Sequence, residues 1–384
     1  MAHTPREQIP YGHQSIDKQD IKVVTETLKS DWLTQGPKVL ELEEKFARFV
    51  GSRYAVAVSS GTAALHAACA ACGIGINDEV IVPTLSFVAT ANCVLYCGAK
   101  PVLVDVYPNT LTINVEEAER KITKKTKAII AVDFAGHPAG WDKLKKLAKK
   151  HKLTLIDDAS HALGGKYNGR RIGLIADLTT FSFHPVKTIT SGEGGIVTTN
   201  NKVFYQKLLR FRNHGIYKDK KLSKKYGSWY YEVRDLGYNY RLTDMQAALG
   251  INQLKKIESF SKKRISIWKK YQKAFSDNPK LELPIEKKGT TPVWHIYPVR
   301  LNLEKIKYNR RQIFEKLKKS GIGVHVFYVP IHKQPLYSKR FKYRKGEFPV
   351  AEDYYRRVLI LPLFPSLGGL DQAFIINKMQ KILK

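Results

Sequence analysis

Seven short apolar runs, most of them rich in β-branched residues, set the strongest limit on what this chain can become. They are "YAVAVSS" (54–60), "EVIVPTLSF" (79–87), "PVLVDV" (101–106), "KAIIAVDF" (127–134), "LTLIDDA" (153–159), "LTTFSF" (178–183) and "GGIVTTN" (194–200). Helix-like segments separate many of them, at 38–50, 61–72, 88–97, 114–122, 141–151 and 202–212. A strand that is wet on one face alternates apolar and polar residues, whereas a near-continuous apolar strand is dry on both. Strands of the second kind, alternating with helices, predict a mainly parallel sheet covered on both faces, an α/β fold. Near residues 243–276 the pattern turns helical. Beyond it a strand (294–301), a helix (308–320), a strand (324–330) and a helix (370–383) read as a small α+β domain. We therefore expect a large domain over 1–255 and a smaller one over 256–384, and 384 residues are ample for both cores.

Charge narrows the partners. The chain carries 65 Lys and Arg against 34 Asp and Glu, a formal charge of +31. That suits either a nucleic-acid surface or a solvated basic exterior that draws in anionic substrates. The basic runs near 120–127, 144–152, 218–225, 262–270 and 339–345 are dispersed, and no helix-turn-helix, zinc-finger or RNP signature accompanies them. The basic exterior is the expectation, with no nucleic-acid partner. No apolar run approaches the roughly 18 residues that would span a bilayer. The start, "MAHTPREQIPYGHQ", lacks the apolar core of a signal peptide. The expectation is a cytoplasmic protein with no membrane partner. Cys69, Cys72, Cys93 and Cys97 superficially resemble a zinc site in their spacing. However, "TAALHAACAAC" and "TANCVLYC" read as small-residue helices without knuckle turns, so packed free thiols and no metal are expected.

In sheets of this kind function gathers in the loops beyond the carboxyl ends of the strands. After "YAVAV" comes Ser59-Ser60-Gly61-Thr62, opening a helix. Free backbone N–H groups, hydroxyls and the helix dipole make a phosphate cradle there, although a plain N-cap would look the same. After "EVIVP" comes Phe87, either core packing or a flat face for a planar heterocycle, the latter stabilising by about 0.5–1.5 kcal/mol beyond burial. After "LTLI" comes "DDASHALGG", in which two adjacent carboxylates end an apolar strand and His161 follows. A buried charge there is costly unless a partner awaits it. One acid can face solvent or cap a helix while the other holds a protonated ring nitrogen. The last loop is "TTFSFHPVKTITSGEGG" (179–195). Nearly all lysines of this chain sit in charged runs, but Lys187 follows an alternating strand and precedes a glycine-rich turn, with no carboxylate beside it until Glu193.

Taken together, the four loops answer the needs of pyridoxal 5'-phosphate (PLP). Its aldehyde needs an amine, Lys187. Its pyridine nitrogen needs a carboxylate so that the ring can act as an electron sink. Its phosphate needs N–H donors and hydroxyls, of which Ser182 can supply one. Gly192, Gly194 and Gly195 let the backbone turn tightly past the cofactor.

The segments "SSGTAALHAA", "SFVATAN", "DDASHALGG", "FSFHPVK", "GEGG" and "GYNYRLTDMQAALGINQL" resemble the DegT/DnrJ/EryC1/StrS family of PLP-dependent nucleotide-sugar aminotransferases, from about residue 9 to the C-terminus. The resemblance implies fold type I and a homodimer with active sites shared between subunits. It makes Lys187 the Schiff-base lysine and Asp158 the partner of the pyridine nitrogen. His161 stands where the family usually has a glutamine beside the ring hydroxyl. Phe87 takes the stacking position, and Gly61, Thr62 and Ser182 hold the phosphate. Asn239 matches the asparagine that reaches the partner subunit's phosphate, with Arg241 close by. Thr34, Gln35 and Gly36, within "LTQGP", would face the sugar nucleotide. One branch replaces the lysine with histidine and dehydrates instead, so a lysine at position 187 favours transamination. The implied reaction moves the amino group of L-glutamate to C4 of a UDP-linked 4-keto-6-deoxy-N-acetylhexosamine. Related branches aminate other 4-keto or 3-keto sugars. In "VHVFYVPIH", His325, Tyr328 and His332 have no acidic neighbour in sequence, so packing or support of a substrate loop is expected there, with Tyr328 towards the substrate.

Overall fold

A computed structural model describes residues 8–384 of the chain, so the first seven residues of the expected large domain and of the polar start lie outside the described residues. All seven apolar runs enter one sheet. Its strands are β1 (Tyr54–Val58), β2 (Glu79–Pro83), β3 (Lys100–Val104), β4 (Thr126–Val132), β5 (Thr154–Asp158), β6 (Leu178–Ser182) and β7 (Gly195–Thr199), in the spatial order β1-β7-β6-β5-β4-β2-β3. Every neighbouring pair is parallel except those of β7, which runs antiparallel to both β1 and β6.

Side-chain alternation splits the strands between two cores. Val56, Val80, Ile130, Ile156 and Val197 face one side, where helices α3 (Gly61–Ala71), α4 (Ala89–Tyr96) and α7 (Lys202–Phe211) cover them. Ala57, Ile81, Ile129, Leu155 and Ile196 face the other, under α2 (Pro37–Val50), α6 (Trp141–His151) and α9 (Asp244–Leu254). Helix α6 shows why the lysine runs are harmless: Trp141, Leu144, Leu147 and Ala148 are buried while Lys143, Lys145, Lys146, Lys149 and Lys150 are exposed. Cys69 and Cys93 meet with their sulfurs 3.5 Å apart where α3 packs on α4, and all four cysteines are free thiols. Among the described residues no helix is long and apolar enough to cross a membrane.

A second, three-stranded antiparallel sheet joins Leu281–Glu282, Tyr297–Leu301 and Val358–Leu361. Its core includes Tyr271 and Phe275 from the long helix Ile257–Phe275, and Met379 from the last helix, Gly369–Leu383. The two units interlock. Ile9 joins the second core, and its N–H and C=O bond Gly321 and Gly323. Phe348, Tyr354, Val358 and Ile360 enter the core of the large sheet. The Asp105 carboxylate, just past β3, accepts the N–H groups of Val350 and Ala351 at 2.8 and 2.9 Å, at the start of the helix Pro349–Arg357.

The apolar run 324–330 is not a strand: only His325 bridges to Ile360. The run touches the edge of the strand Val358–Leu361 at that bridge alone and then crosses to the large sheet, where the Tyr354 hydroxyl donates to the Phe327 carbonyl at 2.9 Å. Its Phe327–Tyr328 peptide is cis. That crossing delivers Tyr328 to the carboxyl ends of β2 and β5.

Candidate active site

A cavity of about 480 Å³ opens at those strand ends. Its lining includes Ser60, Gly61, Thr62, Phe87, Asp158, His161, Ser182, Lys187 and Tyr328.

Lys187 follows β6 in a loop pinned at both ends. Its N–H donates to the His184 carbonyl at 2.9 Å, and the Phe183 carbonyl accepts from Thr190 Oγ1 and the Ser191 N–H. Burial pushes the Lys187 ammonium down to about 8; the Asp158 carboxylate opposes the shift and the Arg264 guanidinium adds to it.

The two adjacent acids part company because β5 alternates. Asp158 points with Ile156 to the cavity face, Asp157 with Leu155 to the opposite one. Asp158 is held by Thr90 Oγ1 at 2.8 Å and Ser160 Oγ at 2.6 Å. Asp157 is fully buried, and neither oxygen has a hydrogen-bond partner among the described residues. Its carboxyl lies well above the usual range through burial, then through the nearby Asp133 and Asp158. His161 is buried, with its Nε2 3.2 Å from the Tyr328 hydroxyl and its ring 4.4 Å from that of His295. Burial, then the Lys187 charge, keeps its imidazole far below the ordinary value and so neutral.

The Ser-Gly-Thr turn is both an N-cap and a cradle. Ser60 Oγ caps α3 by accepting from the Ala63 N–H at 3.1 Å, which leaves Thr62 and Ser182 free to line the cavity. A Cβ on Gly61 would come within 2.7 Å of Ser182 Cβ, so only glycine lets β6 approach the helix start this closely. Phe87 is 54% exposed, which rules out core packing, and its ring lies 5.8 Å from that of Tyr328.

The other expected residues do not come to this cavity within one chain. Gln35, Gly36 and Arg241 line a separate cavity of about 320 Å³. Thr34 bridges to Thr243 beside it, and Arg241 donates to Asn213 Oδ1 at 2.7 Å. Asn239 is exposed and bridges to Asn213. The expected packing of His325 holds, since its ring stacks 4.2 Å from that of Phe327. His332 meets an acid distant in sequence, Glu352, at 3.4 Å, yet among the described residues no group of side chains is placed to hold a metal. The cavity is also lined by residues that the sequence did not single out, among them Tyr11, His184, Glu193 and His295. His184 and Glu193 flank the lysine in sequence and carried a signal; Tyr11 and His295 arrive from other parts of the chain and carried none.

The set fits PLP: an amine of lowered basicity, a buried carboxylate, an exposed aromatic face, and hydroxyls at a helix start. The His161 Nδ1 atom, buried with no hydrogen-bond partner among the described residues, adds a polar group open to a ligand. Comparison with known proteins agrees. Residues 14–380 match the model of the DegT/DnrJ/EryC1/StrS aminotransferase family. An uncharacterized protein of Methanocaldococcus jannaschii is 45% identical over 377 residues, 98% of this chain and 97% of that one. A UDP-4-amino-4,6-dideoxy-N-acetyl-beta-L-altrosamine transaminase of Campylobacter jejuni is 39% identical over 385 residues, 98% of each chain. Among solved structures, Helicobacter pylori PseC, an aminotransferase of pseudoaminic acid biosynthesis, superposes with a TM-score of 0.91 at 34% identity, covering 98% of this chain and 99% of that one. The PLP form of the Streptococcus pneumoniae sugar aminotransferase Spr1654 gives 0.90 at 30%, covering 98% and 100%. The chain thus belongs to the DegT/DnrJ/EryC1/StrS aminotransferase family and is a PLP-dependent sugar aminotransferase of fold type I.

Proposed function

We propose that this enzyme moves the amino group of L-glutamate to C4 of a UDP-linked 4-keto-6-deoxy-N-acetylhexosamine, forming UDP-4-amino-4,6-dideoxy-N-acetyl-β-L-altrosamine. The observation that carries the chemistry is the meeting of Lys187 and Asp158 in one cavity. The choice of sugar is supported by the Campylobacter relative of that activity, which is 39% identical over 98% of this chain.

When bound, PLP supplies an electron sink for the carbon losing or gaining nitrogen. Lys187 Nζ would hold the cofactor's aldehyde and, as a free amine, would take a proton from the donor's Cα and return one on the way back. An ammonium lowered to about 8 leaves a useful share of free amine near neutral pH. Asp158, fixed by Thr90 and Ser160, would hold the protonated ring nitrogen. Neutral His161, oriented by Tyr328, would serve the ring hydroxyl. Phe87 would offer its face to the ring, and Gly61, Thr62 and Ser182 would take the phosphate.

The working unit is a homodimer in the cytoplasm. Trp32, Leu33 and Leu40 are 54%, 45% and 56% exposed around the Thr34–Gly36 loop, an apolar patch of the kind that subunits cover. Thr34, Gln35, Gly36, Asn239 and Arg241 of each subunit then complete the site of the other. Four free thiols suit a reducing compartment.

The test is a coupled assay. UDP-N-acetylglucosamine, a 4,6-dehydratase that inverts C5, L-glutamate and this enzyme should give an aminated UDP-sugar whose NMR couplings show the L-altro configuration. Amination at another carbon, or an epimeric product, would replace the assigned substrate.

A further inference from the structure

Two carboxylates line the cavity, and only one is occupied. Asp158 is engaged by Thr90 and Ser160. The Glu193 side chain lines the same cavity, is exposed, and has no hydrogen bond or ion pair to any described residue. Its backbone, by contrast, is held firmly. The Glu193 carbonyl accepts from Ser191 Oγ at 2.7 Å and from Gln246 Nε2 at 2.8 Å. Gly192 before it takes φ of 82°. A Cβ on Gly194 after it would meet Ser191 Oγ at 2.4 Å and Leu242 Cδ1 at 3.1 Å. A glycine-locked turn therefore presents one free carboxylate to a pocket whose other ionisable groups include Lys187, His184, His161 and His295.

We infer that Glu193 is a specificity residue that reads the neutral hydrogen-bond donors of the acceptor sugar, its hydroxyls and acetamido N–H. This rests on the sugar-nucleotide reading above and deepens it. The two substrates take turns at Lys187 but differ in what they offer a carboxylate. The amino-acid donor brings two carboxylates and the nucleotide brings a diphosphate, all of which Glu193 repels. The pyranose brings uncharged O–H and N–H groups, and a hydrogen bond from these to an ionised acceptor is about twice as strong as one between neutral partners.

Isothermal titration of the cofactor-loaded enzyme with UDP-N-acetylglucosamine and with UDP tests this. The sugar nucleotide has a hydroxyl in place of the ketone, so it binds without turnover. Wild type should bind it more tightly than UDP. Glu193→Gln should lose about tenfold or more of its affinity for the sugar nucleotide and hold UDP within about twofold, with Glu193→Asp between. Thermal unfolding of Glu193→Gln should match wild type, since the side chain is exposed and makes no hydrogen bond or ion pair to any described residue. If Glu193→Gln binds both ligands as wild type does, or loses UDP equally, the inference is overturned while the proposed function stands. If wild type binds neither ligand, the proposed function fails and takes the inference with it.

Discussion

Asp157 and Asp158 are neighbours in sequence and opposites in environment, and strand alternation alone separates them. Asp158 is held by Thr90 and Ser160 at the cavity; Asp157 is sealed behind the sheet with no hydrogen-bond partner among the described residues. The folded protein holds Asp157 protonated at pH values where the unfolded chain has already released the proton. In that window folding takes up a proton, so this residue's contribution to stability falls as pH rises. Asp133, pushed up to about 7 by the same burial, behaves alike. Asp157→Asn, a mimic of the protonated acid, should therefore stabilise the fold by about 1–3 kcal/mol more at pH 8 than at pH 4, the ordinary carboxylate value at which the unfolded chain still keeps much of its proton; denaturant unfolding at both values measures it. Lys187 titrates in the opposite sense. Burial lowers its ammonium to about 8, so free amine accumulates as pH rises. The rate at which the cofactor-free protein captures PLP should climb about tenfold per pH unit below 8 and level off above it, as followed by visible absorbance. Lys187 was legible because its strand and turn are local features. His295 was not, because it lies more than a hundred residues from the lysine and only the fold brings it to His161.

Among the elements, the seven strands were legible because burial on both faces leaves an unbroken apolar signature that no exposed segment shares. The run 324–330 carries the same signature for a different reason. It packs on both sides, His325 and Phe327 towards Tyr11 and Val326 into the cores, yet it meets the edge of the strand Val358–Leu361 only at the His325–Ile360 bridge. Apolar content reports burial, not pairing. The helix starts follow simpler chemistry: Asn201 caps α7, and Thr243 with Gln246 forms a capping box on α9. The start of α3 serves two masters, and Gly61→Ala separates them. Its Cβ would force Ser182 away while leaving the Ser60 cap in place, so PLP affinity should fall by about tenfold or more for a loss of roughly 1–3 kcal/mol in stability. Cofactor titration and thermal unfolding on the same sample compare the two; unchanged PLP affinity would remove Ser182 from the cradle.

At the scale of the whole molecule, the expected site residues fall into two groups that one chain keeps apart. Lys187, Asp158, His161 and Tyr328 share one cavity; Gln35, Gly36 and Arg241 share another. Sequence could place each residue on its loop; in the proposed dimer, which subunit's site each loop closes would depend on a surface formed between chains. Shared sites in a two-fold dimer make a distinct prediction. Lys187→Ala and Asn239→Ala subunits, each inactive alone, should regain about a quarter of wild-type activity when mixed and allowed to exchange, since half the dimers are mixed and each has one intact site. No recovery despite proven exchange would confine each site to one chain. The net charge of +31 remains an exterior property, carried by lysines such as those on the outer face of α6. The central claim is the identity of one amine. Borohydride reduction of the coloured enzyme, followed by digestion and tandem mass spectrometry, fixes the cofactor to whichever residue holds it. The account predicts the phosphopyridoxyl mass on Lys187 and loss of colour in Lys187→Ala; the same mass on any other lysine, or a colour that survives that substitution, would contradict it.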